Sequence, residues 1–131
     1  MTILFMCAAN SVRSQLAEGL ARKYLTGVQV MSAGASSSHV NPMVLEVLEE
    51  MEGIDAGDHM SKSVYEVDME KVDMTIAVCK EGVIPPELLR KPHQVWPFSV
   101  PTGKSGYQEL VLKMKQRIFD LKSQIQMSTD Q

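Results

Sequence analysis

The sequence predicts a single α/β domain: a four-stranded parallel sheet with helices on both faces. Three observations lead there. Short apolar runs alternate with stretches of helical period, and parallel neighbours in a sheet need such crossover connections. The chain is 131 residues long and 44% hydrophobic, enough for one buried core and too short for two ordinary domains. No internal repeat and no linker divides residues 1–131.

Ile3-Leu4-Phe5-Met6, ending at Cys7, is too short for a helix and suits a buried strand. A polar loop, Ala8 to Arg13, leads into a helix from Ser14, where Leu16, Ala17, Leu20, Ala21 and Tyr24 share one face and Gly27 is the expected stop. Val28 to Met31 alternates like a second strand, and Ser32 to Ser38 reads as loop. Asn41 caps a second helix that has Pro42 at its first position, an apolar stripe from Met43 to Met51, and Gly53 at its end. Residues 54–63 read as irregular and 64–70 as a short helix. Val72 to Val78 is the third strand, ending at Cys79 as the first ends at Cys7. Pro85-Pro86 interrupts the stretch after Cys79, His93 to Trp96 is a fourth short strand, and 97–106 is a Pro- and Gly-rich loop. Leu110, Val111, Met114, Ile118, Leu121 and Ile125 mark a long amphipathic helix, with 127–131 expected to fray.

Composition narrows the activity. A net charge of −3 argues against broad binding to nucleic acid or an anionic membrane. The apolar runs fall well short of the roughly 18 residues a membrane span needs, and no signal-peptide pattern opens the chain, so a cytoplasmic protein is expected. Two distant cysteines make neither a disulfide scaffold nor a zinc site, and His39, His59 and His93 are scattered, so no metal site is expected. Of the ten methionines, those on the predicted helices follow the apolar stripe and read as core filling.

In parallel sheets ligands bind beyond the carboxyl ends of the strands, where both cysteines are expected. Cys7 and Arg13 bracket five residues between a strand and a helix start. Such a loop turns successive backbone N–H groups inward, and the helix N-terminus adds partial positive charge. A tetrahedral oxyanion suits that cradle of Ala8, Ala9, Asn10, Ser11 and Val12, with the guanidinium of Arg13 clamping two of its oxygens. The same field favours thiolate over thiol at Cys7 and makes it a nucleophile. Ser14 is placed to hydrogen-bond the sulfur, and Asn10 to hold the turn in a left-handed conformation.

The stretch Cys7-Ala8-Ala9-Asn10-Ser11-Val12-Arg13-Ser14-Gln15-Leu16-Ala17-Glu18-Gly19 resembles the phosphate-binding loop and first helix of low-molecular-weight protein tyrosine phosphatases, and above all their arsenate reductase branch. Ser32-Ala33-Gly34, Val40-Asn41-Pro42, Gly53-Ile54-Asp55, His59 to Lys62, and Val72-Asp73 leading to Cys79 are similar as well. The resemblance implies the low-molecular-weight phosphatase fold, Cys7 as nucleophile, Arg13 as oxyanion clamp and Cys79 as a second redox cysteine. It implies no tightly bound cofactor, arsenate or a phosphate-like oxyanion as substrate, thioredoxin or glutathione/glutaredoxin as transient reductant, and a monomer. Some reductases of this family bind potassium beside the loop, through residues that match Asn10, Glu18 and Ser32; their remaining carboxylate ligand matches Lys62. An ammonium at Lys62 either pairs with Glu18 and braces the loop in the ion's stead or is a surface lysine near nothing.

The departures rank the reactions. The family's general-acid Asp-Pro appears as Val100-Pro101, and no third cysteine lies in 80–89, where Glu81 stands at one candidate position. A tyrosine leaving group with pKa near 10 loses a factor of about 10²–10⁴ without a general acid. Arsenate expels only water or hydroxide and suffers less. Arsenate reduction therefore ranks first, weakened phosphotyrosine hydrolysis second, and non-catalytic oxyanion binding third. Glu81 or Glu87 is the carboxylate available to replace the acid.

Overall fold

β1 (Thr2–Cys7) is buried along its whole length, as an unbroken apolar run requires of a strand covered on both faces. The structure, a computed structural model that describes residues 1–129, pairs β1 in parallel with β2 (Gln29–Gly34) on one side and β3 (Met74–Ala77) on the other. β4 (His93–Val95) lies parallel beside β3, giving the sheet order β2-β1-β3-β4. The chain goes from β1 out to β2, then crosses back past β1 to β3. Strand order thus reverses at β1, and that reversal opens a crevice beyond its carboxyl end.

Side-chain alternation along β1 divides the core. Ile3, Phe5 and Cys7 face a cluster drawn from α1 (Arg13–Tyr24), α2 (Pro42–Glu52) and a long C-terminal helix, with Leu16, Leu20, Val47, Leu48, Val111, Met114 and Ile118 buried in it. Leu4 and Met6 face a smaller cluster of Ala33, Val64, Val67, Val72 and Leu88. Each such side chain taken from water contributes about 1.5–3 kcal/mol. The two faces are covered unequally. Among the described residues, what lies opposite the three long helices is two 3₁₀ turns, Val64–Glu66 and Met69–Lys71, and the single-turn α3 (Pro86–Leu89).

α2 ends where its sequence signals place it, whereas α1 stops at Tyr24 with Leu25 as its cap, short of the expected Gly27. The Asn41 side chain accepts from the N–H of Met43 at 2.9 Å, Pro42 opens α2, and Gly53 closes it at φ 65°. Elsewhere tertiary pairing moved the boundaries. Ser32 to Gly34, read as loop, are the last residues of β2, because they find ladder partners in Phe5 to Cys7. The helix read over 64–70 is two separate 3₁₀ turns, capped by the side chains of Ser63 and Asp68, with Val67 extended between them. The C-terminal helix, α4 (Gly103–Thr129), starts inside the stretch read as loop, at Gly103 with φ 67°. The tail expected to fray is helical in its backbone as far as Thr129, and residues 130–131 lie outside the described residues.

Candidate active site

The loop from Cys7 to Arg13 is held from outside by its carbonyls. Cys7 O accepts from Ala35 N at 3.1 Å, Ala8 O from Ser36 N at 3.0 Å, and Ser11 O from Asn41 N at 3.1 Å. Ala9 O accepts from the Ser61 hydroxyl at 3.1 Å and Asn10 O from Gln15 Nε2 at 3.1 Å. Val12 O accepts from Leu16 N at 2.9 Å, as the first bond of α1. With every carbonyl from Cys7 to Val12 engaged, the N–H groups of Ala9 to Val12 have no acceptor among the described residues. Val12, at the N-cap, supplies no side-chain cap, so the first N–H groups of α1 stay open as well. Outward carbonyls and free inward amides make an anion cradle. Asn10 at φ 51° turns the loop as its residue type allows.

A buried polar chain reaches the Cys7 sulfur. Asn10 Oδ1 accepts from the Lys62 backbone N–H at 2.8 Å, which turns its amide nitrogen toward Ser14 Oγ at 2.8 Å and Ser32 Oγ at 3.0 Å. Both hydroxyl oxygens therefore accept. The Ser32 hydroxyl donates to the Glu18 carboxylate, and the Ser14 hydroxyl has the Cys7 sulfur at 2.9 Å. The Ser14 hydroxyl thus links the Asn10 amide to the Cys7 sulfur in one buried hydrogen-bonded chain. Gln15 is fixed in the same way: Nε2 donates to the carbonyls of Asn10 and Met60, so Oε1 accepts from Nδ1–H of His59 at 3.0 Å. Burial pushes the His59 imidazole below its usual range against the pull of Glu18, which keeps it neutral there.

Cys7, Ala8, Ala9, Ser11, Val12, Arg13 and Val100 enclose a cavity of about 150 Å³, room for one small tetrahedral anion. Val100 brings an apolar side chain to that cavity, and Glu87 lies exposed on α3, away from its lining. Arg13 is buried, and its Nη1 donates to Phe98 O at 3.0 Å and to Glu81 Oε2 at 3.2 Å. Glu81 is held below the usual carboxylate range by its own backbone N–H, by Cys79 and by Arg13. It is ionised at neutral pH and unsuited to the general-acid role.

β1 and β3 are neighbours, as the two-cysteine reading requires, and Met6 pairs with Ala77. Cys79 therefore lies one residue past the position opposite Cys7. Its side chain is fully buried and its thiol donates to Glu81 O at 3.5 Å; burial, then Glu81, pushes its pKa up to about 12.

The family model for low molecular weight phosphotyrosine protein phosphatase matches residues 2–95. The chain belongs to this family. A Staphylococcus epidermidis protein named arsenate reductase 2 is 34% identical over 130 residues, covering 93% of this chain and 96% of that protein. A solved arsenate reductase in the phosphate-binding state superposes with a TM-score of 0.86 at 31% identity, covering 95% of this chain and 98% of its own. The thioredoxin-dependent arsenate reductase of Corynebacterium glutamicum gives a TM-score of 0.75 at 30% identity, covering 97% of this chain and 62% of that one.

Within this family member the expected brace at Lys62 is corrected. Lys62 supports the loop through its backbone N–H, and Glu18 takes Arg22 as its ion-pair partner, with Nη2 2.8 Å from Oε2. A potassium ion does not fit these residues, since a guanidinium already neutralises the carboxylate and a lysine stands at the remaining ligand position. His39 and His93 are remote from the cradle in hydrogen bonding, each bonded to a neighbouring residue. Sequence reading missed Gln15, Ser61 and the Arg13–Glu81 pair, whose partners lie 44 to 68 residues away along the chain, and it missed Arg22, although its partner Glu18 is four residues earlier on α1. Gly34, the last residue of β2, is a further one. A Cβ there would stand 2.5 Å from Ser36 O, 2.7 Å from Asn10 N and 2.9 Å from Ala8 O.

Proposed function

We propose that this protein reduces arsenate to arsenite with Cys7 as the nucleophile. The observation that carries the reading is the cradle itself: inward amides, the Ser14 hydroxyl on the Cys7 sulfur, and an apolar Val100 where a phosphatase needs an acid. The relatives named as arsenate reductases support it. Arg13 and the amides of Ala8 to Val12 bind the oxyanion, while Asn10, Glu18 and Ser32 hold the loop. The Cys7 thiolate attacks arsenic, an As–S bond forms, and an oxygen ligand leaves as water or hydroxide. A second thiol then attacks the Cys7 sulfur. An S–S bond forms, the As–S electron pair stays on arsenic, and arsenite departs as As(III).

At a pKa of about 12, Cys79 is protonated and a poor nucleophile in the conformation described. An external thiol, from thioredoxin or from glutathione with glutaredoxin, serves as the second thiol or reopens a Cys7–Cys79 disulfide once residues 79–82 have moved. Every group of the site comes from one chain, so a monomer suffices. A cytoplasmic setting supplies the reduced thiols.

The test is arsenite release by purified protein, with the thioredoxin and glutathione/glutaredoxin systems supplied separately and Cys7→Ser as control. Mass spectrometry after one turnover without reductant distinguishes a Cys7–Cys79 disulfide from a mixed disulfide. Full activity in Cys7→Ser would overturn the proposal. Hydrolysis of an aryl phosphate without arsenite release would favour the phosphatase reading, and binding without either reaction the non-catalytic one.

A further inference from the structure

The clamp that should receive the oxyanion is already in use. Arg13 Nη1 lies 3.2 Å and 3.5 Å from the two carboxylate oxygens of Glu81, and Nη2 lies 3.4 Å from Oε1. A carboxylate presents two oxygens to a guanidinium much as a tetrahedral oxyanion does. The partners differ in freedom: the side chain of Arg13 is 7% exposed and that of Glu81 is 51% exposed. Glu81 can therefore withdraw into water at little cost, while Arg13 stays facing the cradle. A Cβ at Gly82, the next residue, would meet nothing within 4 Å, and glycine itself gives the chain there a wide conformational range.

Glu81 also has a second hold. Its main-chain carbonyl accepts the Cys79 thiol, while its side chain holds Arg13. We propose that Glu81 is an internal stand-in for the oxyanion, a positioning residue that occupies Arg13 at rest, yields it to substrate, and on leaving uncovers the Cys79 thiol. The inference rests on the oxyanion-reductase reading of the same loop. It explains how a buried second thiol is kept from the first until an anion sits in the cradle. It also assigns a use to a carboxylate that cannot serve as an acid.

The test uses the full chain and inorganic phosphate as probe. Calorimetric titration should show Glu81→Gln binding phosphate about three- to tenfold more tightly than wild type, the loss of one partly exposed, hydrogen-bonded competitor. Glu81→Asp, which keeps the charge, should stay near wild type. Damage to the fold does not produce a gain in affinity. In a Cys7→Ser background, saturating phosphate should speed iodoacetamide labelling of Cys79 at least about tenfold, since thiolate exposure governs that rate. Adding Glu81→Gln to that background should make labelling fast without phosphate. Unchanged or weaker phosphate binding in Glu81→Gln, labelling indifferent to phosphate, or no phosphate binding in any form would each overturn the inference. Arsenite release with an indifferent Glu81→Gln counts against this inference alone. A tightened phosphate site without arsenite release counts against the reduction reading alone.

Discussion

Gly34 shows how one missing Cβ sets the site. The end of β2 and the segment after it reach the loop through Ala35 N to Cys7 O and Ser36 N to Ala8 O, and Gly34 makes that approach possible. Gly34→Ala forces backbone atoms apart, at a cost of about 1–3 kcal/mol. Arsenate turnover should fall at least about tenfold through a misplaced loop, read as kcat/KM beside a melting curve that shows the protein still folded. Val100 predicts in the opposite direction. Val100→Asp places a carboxylate at the cavity wall and should raise kcat on an aryl phosphate by about 10–100-fold. An unchanged rate would mean that leaving-group protonation does not limit hydrolysis. The third prediction concerns Arg22, whose guanidinium sits on Glu18. Potassium exchanged for sodium at fixed ionic strength should leave oxyanion affinity and turnover the same, and a potassium-specific gain would show that the ion displaces Arg22.

Among the elements, α1, α2 and α4 are tied together at Glu52, the last residue of α2. Its carboxylate, 4% exposed, accepts from Tyr24 of α1 and lies 3.3 Å from Lys23 and 2.9 Å from Lys115 of α4. Burial works against the charge, but the hydrogen bonds from Tyr24, Lys115 and Lys23 outweigh it and hold the carboxyl below its usual range. A carboxyl depressed in the folded state adds stability above its unfolded pKa, near 4.3, and loses it as pH falls through the folded value. Glu52→Gln should therefore cost roughly 1–3 kcal/mol at pH 7 by chemical denaturation. The gap from wild type should shrink as the pH is taken below about 4. A gap independent of pH would mean that shape and packing, and not charge, join the three helices.

Over the whole molecule, oxyanion binding and folding are linked because residues from several elements converge on the cradle. Ala35 and Ser36 after β2, Asn41 before α2, Ser61 in the connection beyond it and Phe98 after β4 all bond to the loop or to Arg13. The unfolded chain has no such site, so phosphate at 100 times its dissociation constant should stabilise the protein by about 2.7 kcal/mol. A thermal shift should appear with phosphate or arsenate and persist in Cys7→Ser. Arg13→Ala should lose most of it; an equal shift there would place the anion elsewhere. Among the described residues no helix is long and apolar enough to cross a membrane.

Residues 3–7 and 13–24 were legible because their signals are local: an apolar run, a helical stripe and a five-residue loop between them. Such patterns, with the resemblance they carry, determined the parallel sheet, the cradle, Cys7, Arg13 and Ser14. The extent of β2 was not legible, since Ser32 to Gly34 become strand only through the partners that β1 offers. Nor was the exchange at Glu18, where the stripe of α1 does not say that Arg22, and not Lys62, reaches the carboxylate. The Arg13–Glu81 pair joins residues 68 apart, and the burial of Cys79 depends on neighbours from both core-forming strands and helices. Local pattern sets which residues can do chemistry, because backbone period and side-chain type are written in short stretches. Tertiary structure decides their charge state and availability, because burial and ion pairing are properties of the surroundings that long-range packing creates.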